Sequence, residues 1–450
     1  MNDAARPAAP ERRAPATGSR RTTSPLPVTY RVNGRGHAEV GGCDLLDLAR
    51  TRGTPLYVYD RATARALARE YVDAMGDRGD VMYSAKAFSS PAFLRLLAAE
   101  GLGLDVVSAG ELRFGLAAGV GADRIHFLGN NKSVEDLEAA YQAGVTLVLD
   151  GFHDLDALPA VVPRGHRVRC EVRLSPGVAG ATHDYISTGQ ADSKFGFSIA
   201  SGAAREAVER ALACDRVELV GLHSHIGSQI VDLGGHVAAM GVMVGFMADV
   251  ARDLGWRAGS LAAGGGLGIA YRWDDRPPSP STFVATMLDA MDRACGEHGV
   301  PPPRLIVEPG RSIAGPAGVA LYTVGAIKDV PGVRRYVSVD GGMGDNIRPK
   351  LYGAVYEALL ADRPNAPASR TVTIAGKYCE STDILIEDAA LPEVSSGDVI
   401  CVPAAGAYCL SMSSRYNGIP GPEAVLVENG EVTVMRRRDT IDDLLRNEVF

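Results

Sequence analysis

The chain has 450 residues, 46% of them hydrophobic, with a formal net charge of -8. That length implies two or three domains and an ample core. No apolar run is long enough to cross a membrane, and no basic stripe interleaves with aromatics, which argues against a nucleic-acid partner. Seven scattered cysteines without a CxxC pair point to a reducing cytoplasm rather than a disulfide framework or zinc knuckle.

The first stretch, MNDAARPAAPERRAPATGSRRTTSP, has no periodicity and reads as a disordered tail over residues 1–27. It lacks the continuous apolar core of a secretory signal. Its arginines allow a transit peptide, but Asp3, Glu11 and the prolines favour a plain tail.

Short apolar runs then follow at VMYSAKA (81–87), LGLDVVS (102–108), RIHFLG (124–129) and TLVLDG (146–151). Four more stand at RVRCEVRLSP (167–176), VELVGLHSHIG (217–227), LAAGGGLG (261–268) and RLIVEPG (304–310). Helical segments separate them, among them SVEDLEAAYQAG, where Ser133 and Asp136 have capping-box spacing. Eight strands alternating with helices predict a closed (β/α)8 TIM-type barrel over residues 61–316. An open doubly wound sheet is the alternative, because strand counting does not decide closure. No GxGxxG follows the first strand, which weakens a dinucleotide reading.

Beyond residue 317 the runs RRYVSVDGG, RTVTIAGKYC, GDVICVP and AVLVENGEVTVM have short-strand character. Asn429-Gly430 between two alternating runs is a hairpin signal. The fold class expected is therefore α/β plus β, a barrel with a second β-rich domain over 317–450. Strands around VTYRV and PLYVYD, within 28–60, should join that domain.

Chemistry-bearing residues gather at the strand ends. Lys86 follows the first run and Asn130 the third. His223 and His225 close the sixth, Gly264, Gly265 and Gly266 the seventh, and Glu308, Gly310 and Arg311 the eighth. Barrel active sites lie on this rim, and the loops after strands seven and eight often take a phosphate. A lysine, a glycine-walled anion cradle, an acid and a flat wall together suit pyridoxal phosphate. Lys86 would bond the cofactor's carbonyl carbon, the glycines and Arg311 would hold its phosphate, and Glu308 would keep the pyridine nitrogen protonated. His225 would stack on the ring, with His223 a buried hydrogen-bonded residue. A metal reading of His-x-His lacks further ligands.

The motifs MYSAKAF, LDVVSAGEL, GNNKS, THDYISTG, DSKFGFS, GLHSHIGSQI, GGGLGI, EPGRSI, DNIRPKLYGA, GKYCESTDIL and GAYCLSMSSRYN occur in this order. The chain thereby resembles, over about residues 28–450, the fold type III (alanine racemase-like) pyridoxal-phosphate decarboxylases. Within them it is similar to the diaminopimelate decarboxylases of the actinobacterial kind. The resemblance implies a homodimer with shared active sites. It also implies decarboxylation of meso-diaminopimelate to L-lysine, the last step of lysine biosynthesis. It makes Lys86 and Cys379 catalytic, Cys379 being the proton donor lent by the neighbouring subunit. It places His225, Ser228, Gly264, Gly265, Gly266, Glu308, Gly310, Arg311 and Tyr408 at the cofactor. Arg311, Arg348, Tyr352, Glu380 and Tyr408 bind substrate by the same carry-over. Phe88 and Cys409 depart from the pattern, standing where relatives often have asparagine and glycine.

Rival readings differ at named residues. A racemase of this fold pairs the ring nitrogen with arginine, against which Glu308 speaks. Decarboxylases of ornithine, arginine or carrier-bound glutamate usually lack the combination of RPKLYGA, CES and basic pocket residues. A non-enzymatic cofactor carrier or dead regulator need not keep both Lys86 and Cys379.

Overall fold

Eight parallel strands close into a barrel in the computed structural model, which describes residues 24–178 and 193–449. Most of the expected tail, all of THDYISTG and the first residue of DSKFGFS lie outside the described residues. In chain order the barrel strands are Gly79–Ser84, Gly103–Val106, Ile125–Phe127, Thr146–Leu149, Val168–Ser175, Val217–His223, Ser260–Ala262 and Arg304–Val307. Closure comes from two pairings: the eighth strand pairs with the first, Val307 opposite Val81, and the fourth with the fifth, Leu149 opposite Val172.

The helices between strands start and stop as their sequences direct. Ser133 accepts from the Asp136 N–H at 3.1 Å, and Asp136 accepts from the Ser133 N–H at 3.2 Å, so the capping box is formed. Gly144 ends that helix at φ +75°, in the left-handed region open to glycine. Helix Gly234–Leu254 is, by length and composition, apolar enough to cross a membrane, contrary to the expectation that no such run exists. Half of it is buried, Met240, Met243 and Val244 among the buried residues, and it packs against Pro280–His298. That is the placing of a barrel-layer helix.

Met82, Ala262 and Ile306 form a small buried apolar cluster. Ser84 and Glu308 stand two residues beyond Met82 and Ile306, hence on the same strand face. The apolar filling thus gives way along the strands to a polar layer.

The barrel and its helices make one compact unit, residues 63–270 and 275–316; the other contains residues 24–62, 271–274 and 317–449. This second unit is built on a sheet whose strands run in the order Ile384–Leu391, Arg370–Ala375, Arg334–Val339, Gly318–Val330, Leu56–Asp60, Glu423–Glu428 and Glu431–Arg436. Leu56–Asp60 is buried along its whole length because it lies between two partners, antiparallel to Gly318–Leu321 and parallel to Glu423–Val427. Arg31–Val32, from VTYRV, instead joins a separate three-stranded sheet. Asn429 and Gly430 turn the final hairpin at φ +52° and +84°. All seven cysteines are free.

Candidate active site

The first barrel strand ends at Ser84, and one 3-10 turn, Ala85–Ala87, carries the chain off the rim. Its outer residues are buried while Lys86 projects into the open. Lys86 has no ion pair or hydrogen bond among the described residues. Gly310 lies against this turn: a Cβ there would come within 3.1 Å of both the Ala87 and Ser84 Cβ atoms. The eighth-strand loop can approach Lys86 only without a side chain at that position.

Three loops interlock around Gly264–Gly266. Added Cβ atoms would meet the Ser224 carbonyl at 2.5 Å, the Glu308 carbonyl at 2.0 Å and the Gly227 carbonyl at 2.3 Å, respectively. Gly264 and Gly266 also have φ of +71° and +97°, so both sterics and backbone conformation demand glycine. His236 braces the turn from below, with Nε2 3.0 Å from the Gly265 carbonyl. Beside it Arg311, buried at the start of Arg311–Ala317, donates to Ser228 Oγ from Nη2 at 2.9 Å. Backbone free of side chains next to a hydroxyl and a guanidinium makes an anion cradle.

The histidines of GLHSHIGSQI part company. His223 is fully buried, with Nε2 2.9 Å from Glu308 Oε1 and 3.1 Å from Oε2. Burial pushes the Glu308 carboxyl up, but His223 and then His126 outweigh it, and the net shift is downward. Glu308 is therefore held as an anion. His225 sits at the loop, its Nδ1 accepting from the Gly265 N–H at 3.3 Å. Desolvation first, then the charges of Lys86 and Arg173, push its imidazole well below the usual range, so His225 is a neutral, flat ring. A phosphorylated pyridine aldehyde fits this donor set: a lysine without an ion pair or hydrogen bond among the described residues, a turn whose close loop packing admits only glycine, a buried anion and a neutral aromatic wall.

Further charges line the barrel. Ser84 Oγ donates to Asp105 at 2.7 Å. Desolvation and the nearby Glu308 push Asp105 up to about 7. His126 Nδ1 lies 3.4 Å from Glu171 Oε2, and Ser260 Oγ donates to Glu171 Oε1 at 2.7 Å. Asp105, His126 and Glu171 are not among the site residues expected from the sequence. Their signal was a charged or imidazole side chain inside an otherwise apolar strand, as in IHF and LDV.

The β-rich unit carries the remaining candidates. Arg348 is buried at the start of Arg348–Tyr352, its guanidinium 4.8 Å from the Tyr271 ring centroid and 5.5 Å from that of Tyr356. Nη1 donates to the Tyr356 hydroxyl, which lies 3.6 Å from Cys409 Sγ. Arg348 has no carboxylate partner among the described residues, and its Nε makes no hydrogen bond there. A buried cation of this kind calls for an anion. Tyr271 and Tyr356, which the sequence reading also missed, complete the aromatic box, and the departure at Cys409 touches it. Phe88, the other departure, is buried edge-on against Phe93.

Tyr352 is half-buried, while Cys379 and Glu380 are exposed. The Cys379 N–H donates to Asn417 Oδ1 at 2.9 Å, and Glu380 accepts from the Tyr416 hydroxyl. Tyr408 holds φ +61°, a strained value for a bulky residue and one that clusters at functional sites. The structure thus brings Lys86, His225, Ser228, Gly264–Gly266, Glu308, Gly310 and Arg311 to one rim. It sets Arg348, Tyr352, Cys379, Glu380 and Tyr408 on the other unit.

The chain is similar to known proteins over most of its length. Residues 61–315 match the pyridoxal binding domain of the pyridoxal-dependent decarboxylases. Diaminopimelate decarboxylase of Bacillus subtilis is 46% identical over 423 residues, covering 93% of this chain and 96% of its own. The Mycobacterium tuberculosis H37Rv enzyme of the same name is 44% identical over 421 residues, covering 91% and 94%. The crystal structure of the M. jannaschii diaminopimelate decarboxylase in complex with L-lysine has a TM-score of 0.87 at 32% identity. It covers 94% of this chain and 98% of that one.

Proposed function

The chain belongs to the diaminopimelate decarboxylases, and we propose that it removes the D-centre carboxylate of meso-diaminopimelate, releasing L-lysine and carbon dioxide. The observation that carries this reading is the rim itself: a lysine without an ion pair or hydrogen bond among the described residues, beside a glycine-walled cradle and a buried glutamate held anionic. Bound pyridoxal phosphate supplies an electron sink for the carbanion left by decarboxylation.

The chain's residues do the rest. Gly264–Gly266, Ser228 and Arg311 hold the phosphate, with Gly310 letting their loop close on Lys86. Glu308 would keep a proton on the ring nitrogen, and neutral His225 would cover the ring face without repelling that charge. Lys86 Nζ would anchor the cofactor until the substrate amine takes its place. Arg348 pairs with a substrate carboxylate inside its tyrosine box, while Tyr352, Glu380 and Tyr408 contact the rest of a substrate that carries both signs of charge. Cys379 Sγ delivers the proton that replaces the lost carboxylate. Its exposure on the isolated chain is what a residue completing a neighbouring subunit's site would show, so we place the working enzyme as a homodimer. Seven free cysteines support a cytoplasmic setting.

The test is a product assay on meso-diaminopimelate, L,L-diaminopimelate, lysine, ornithine and arginine, with pyridoxal phosphate present. Lysine and carbon dioxide should appear in equal amounts from the meso compound alone. Turnover of ornithine or arginine in its place would overturn the substrate assignment.

A further inference from the structure

We propose that His126 and Glu171, a second buried pair inside the barrel, are positioning residues that hold Glu308 ionised for the reaction. This rests on the reading that Glu308 faces the pyridine nitrogen.

The geometry begins with an excess of acid. Asp105, Glu171 and Glu308 are all buried in the barrel; against that burial, the imidazoles of His223 and His126 lower Glu308, and Lys86 and His223 lower Asp105 in part. Carboxylates sharing one low-dielectric space oppose each other's ionisation, because each raises the proton affinity of the next. Asp105, raised to about 7, is the acid most ready to keep a proton, and the enzyme needs the acid that keeps one not to be Glu308.

The two histidines are committed separately. His223 stands against both oxygens of Glu308 at 2.9 and 3.1 Å. His126 Nδ1 faces Glu171 Oε2 at 3.4 Å, and Ser260 Oγ holds the other oxygen at 2.7 Å. Room for this second pair is built into the backbone: a Cβ at Gly221 would fall 2.1 Å from Ser260 Oγ and 3.0 Å from Glu171 Oε1. His126 is flanked by Asp105 on strand two and by the uncharged Thr146 on strand four. The acids that act on it are Glu171, then Glu308 and Asp105; burial opposes them, and the imidazole is still raised. Glu171 is raised by burial but lowered by His126, and the net is downward. Both shifts run in the sense of an ion pair, and the 3.4 Å separation of Nδ1 and Oε2 lies within ion-pair reach. With Glu171 neutralised in place, its charge no longer pushes a proton onto Glu308, and the odd proton falls to Asp105, the acid raised to about 7.

An ion pair with this duty has a signature that simple packing lacks: its two halves act on Glu308 with opposite signs. In His126→Gln, an unpaired Glu171 drives Glu308 toward protonation. The acid limb of kcat, and the pH at which the visible absorbance of bound pyridoxal phosphate changes, should both move up by about one pH unit. In Glu171→Gln an uncompensated His126 moves both down by about as much. The double variant should return both near the wild-type position, with KM for substrate unchanged throughout. Shifts of the same sign, or none in either single variant, overturn the proposal.

Should the single variants fail to fold, neutron diffraction of the wild-type holoenzyme at about pH 7.5 decides instead. Protons on both ring nitrogens of His126, with Glu171 bare, are expected; a singly protonated His126 overturns the idea. Glu308→Gln separates this failure from that of the underlying reading. If that substitution leaves spectrum and acid limb unchanged, Glu308 does not serve the ring nitrogen at all.

Discussion

The two compact units put their reactive groups in opposite surroundings. In the barrel, Glu308, His223, Asp105, His126 and Glu171 are buried, and their proton affinities are set by one another. In the β-rich unit, Cys379 and Glu380 face outward, Tyr352 and Tyr408 are half-buried, and Arg348 is buried in its tyrosine box. The difference separates two ways of preparing a group for chemistry. A buried group is tuned by the fold of its own chain, whereas an exposed thiol acquires its working environment only from what packs upon it.

The sharpest way to break that comparison is to damage each side separately. Lys86→Ala should lose the visible absorbance band and more than about a thousandfold in activity. Cys379→Ala should keep the band and lose turnover. If Cys379 is lent across a two-fold interface, each mixed dimer holds one site with both lesions and one with neither. Equal mixing with free subunit exchange makes about half the dimers mixed, so about a quarter of wild-type activity should return. Mixed dimers verified by mass spectrometry yet inactive would place Cys379 and Lys86 of one chain in the same site.

Arg348 sharpens the comparison from the other direction, being a buried group on the unit whose other candidates are exposed or half-buried. Its guanidinium sits between two tyrosine rings without an acid partner among the described residues. Removing it should cost about 1.5–3 kcal/mol of substrate binding, roughly 10- to 150-fold in kcat/KM. Cofactor retention, measured by absorbance after gel filtration, should stay at the wild-type level. Equal loss of both would mean that Arg348 supports the fold rather than the substrate.

What could be read from the sequence follows the range of the interactions. Helix starts such as Ser133–Asp136, the Asn429–Gly430 hairpin and the eight alternating runs are local patterns, legible because their partners lie within a few residues. The rim of Lys86, Gly264–Gly266 and Glu308 was legible because a barrel gathers its strand ends whatever their separation in the chain. Closure was not, since the pairing of the eighth strand with the first is a tertiary contact without a local mark. The box of Tyr271 and Tyr356 around Arg348 was invisible for a related reason: Tyr271 leaves the barrel segment to join the other unit. His126 and Glu171 were visible as polar intrusions into apolar strands, but which acid met which imidazole depended on barrel registers that periodicity does not encode.

The smallest expected effect tests the crowding of acids in the barrel, through stability rather than turnover. Asp105 is raised from 3.8 to about 7 by burial first and then by Glu308. A raised carboxyl binds a proton in the folded chain at a pH where the unfolded chain has released it. Folding is therefore penalised increasingly as pH climbs from about 4 to 7, and the penalty is full above that. Other groups titrate nearby with their own signs. His126, raised, adds stability below about 6.5 that is lost as pH rises through its folded value, and His225, lowered, makes folding less favourable in acid. The absolute stability curve mixes these terms, so the informative quantity is the difference between wild type and Asp105→Asn. The asparagine amide can still accept from Ser84 but carries no charge. Cofactor-free wild type should lose about 1–2 kcal/mol relative to the variant between about pH 5 and 7 in urea melts, with little further change above that. A difference that is flat across this range would show Asp105 ionised throughout, and the odd proton of the barrel would have to sit on another acid.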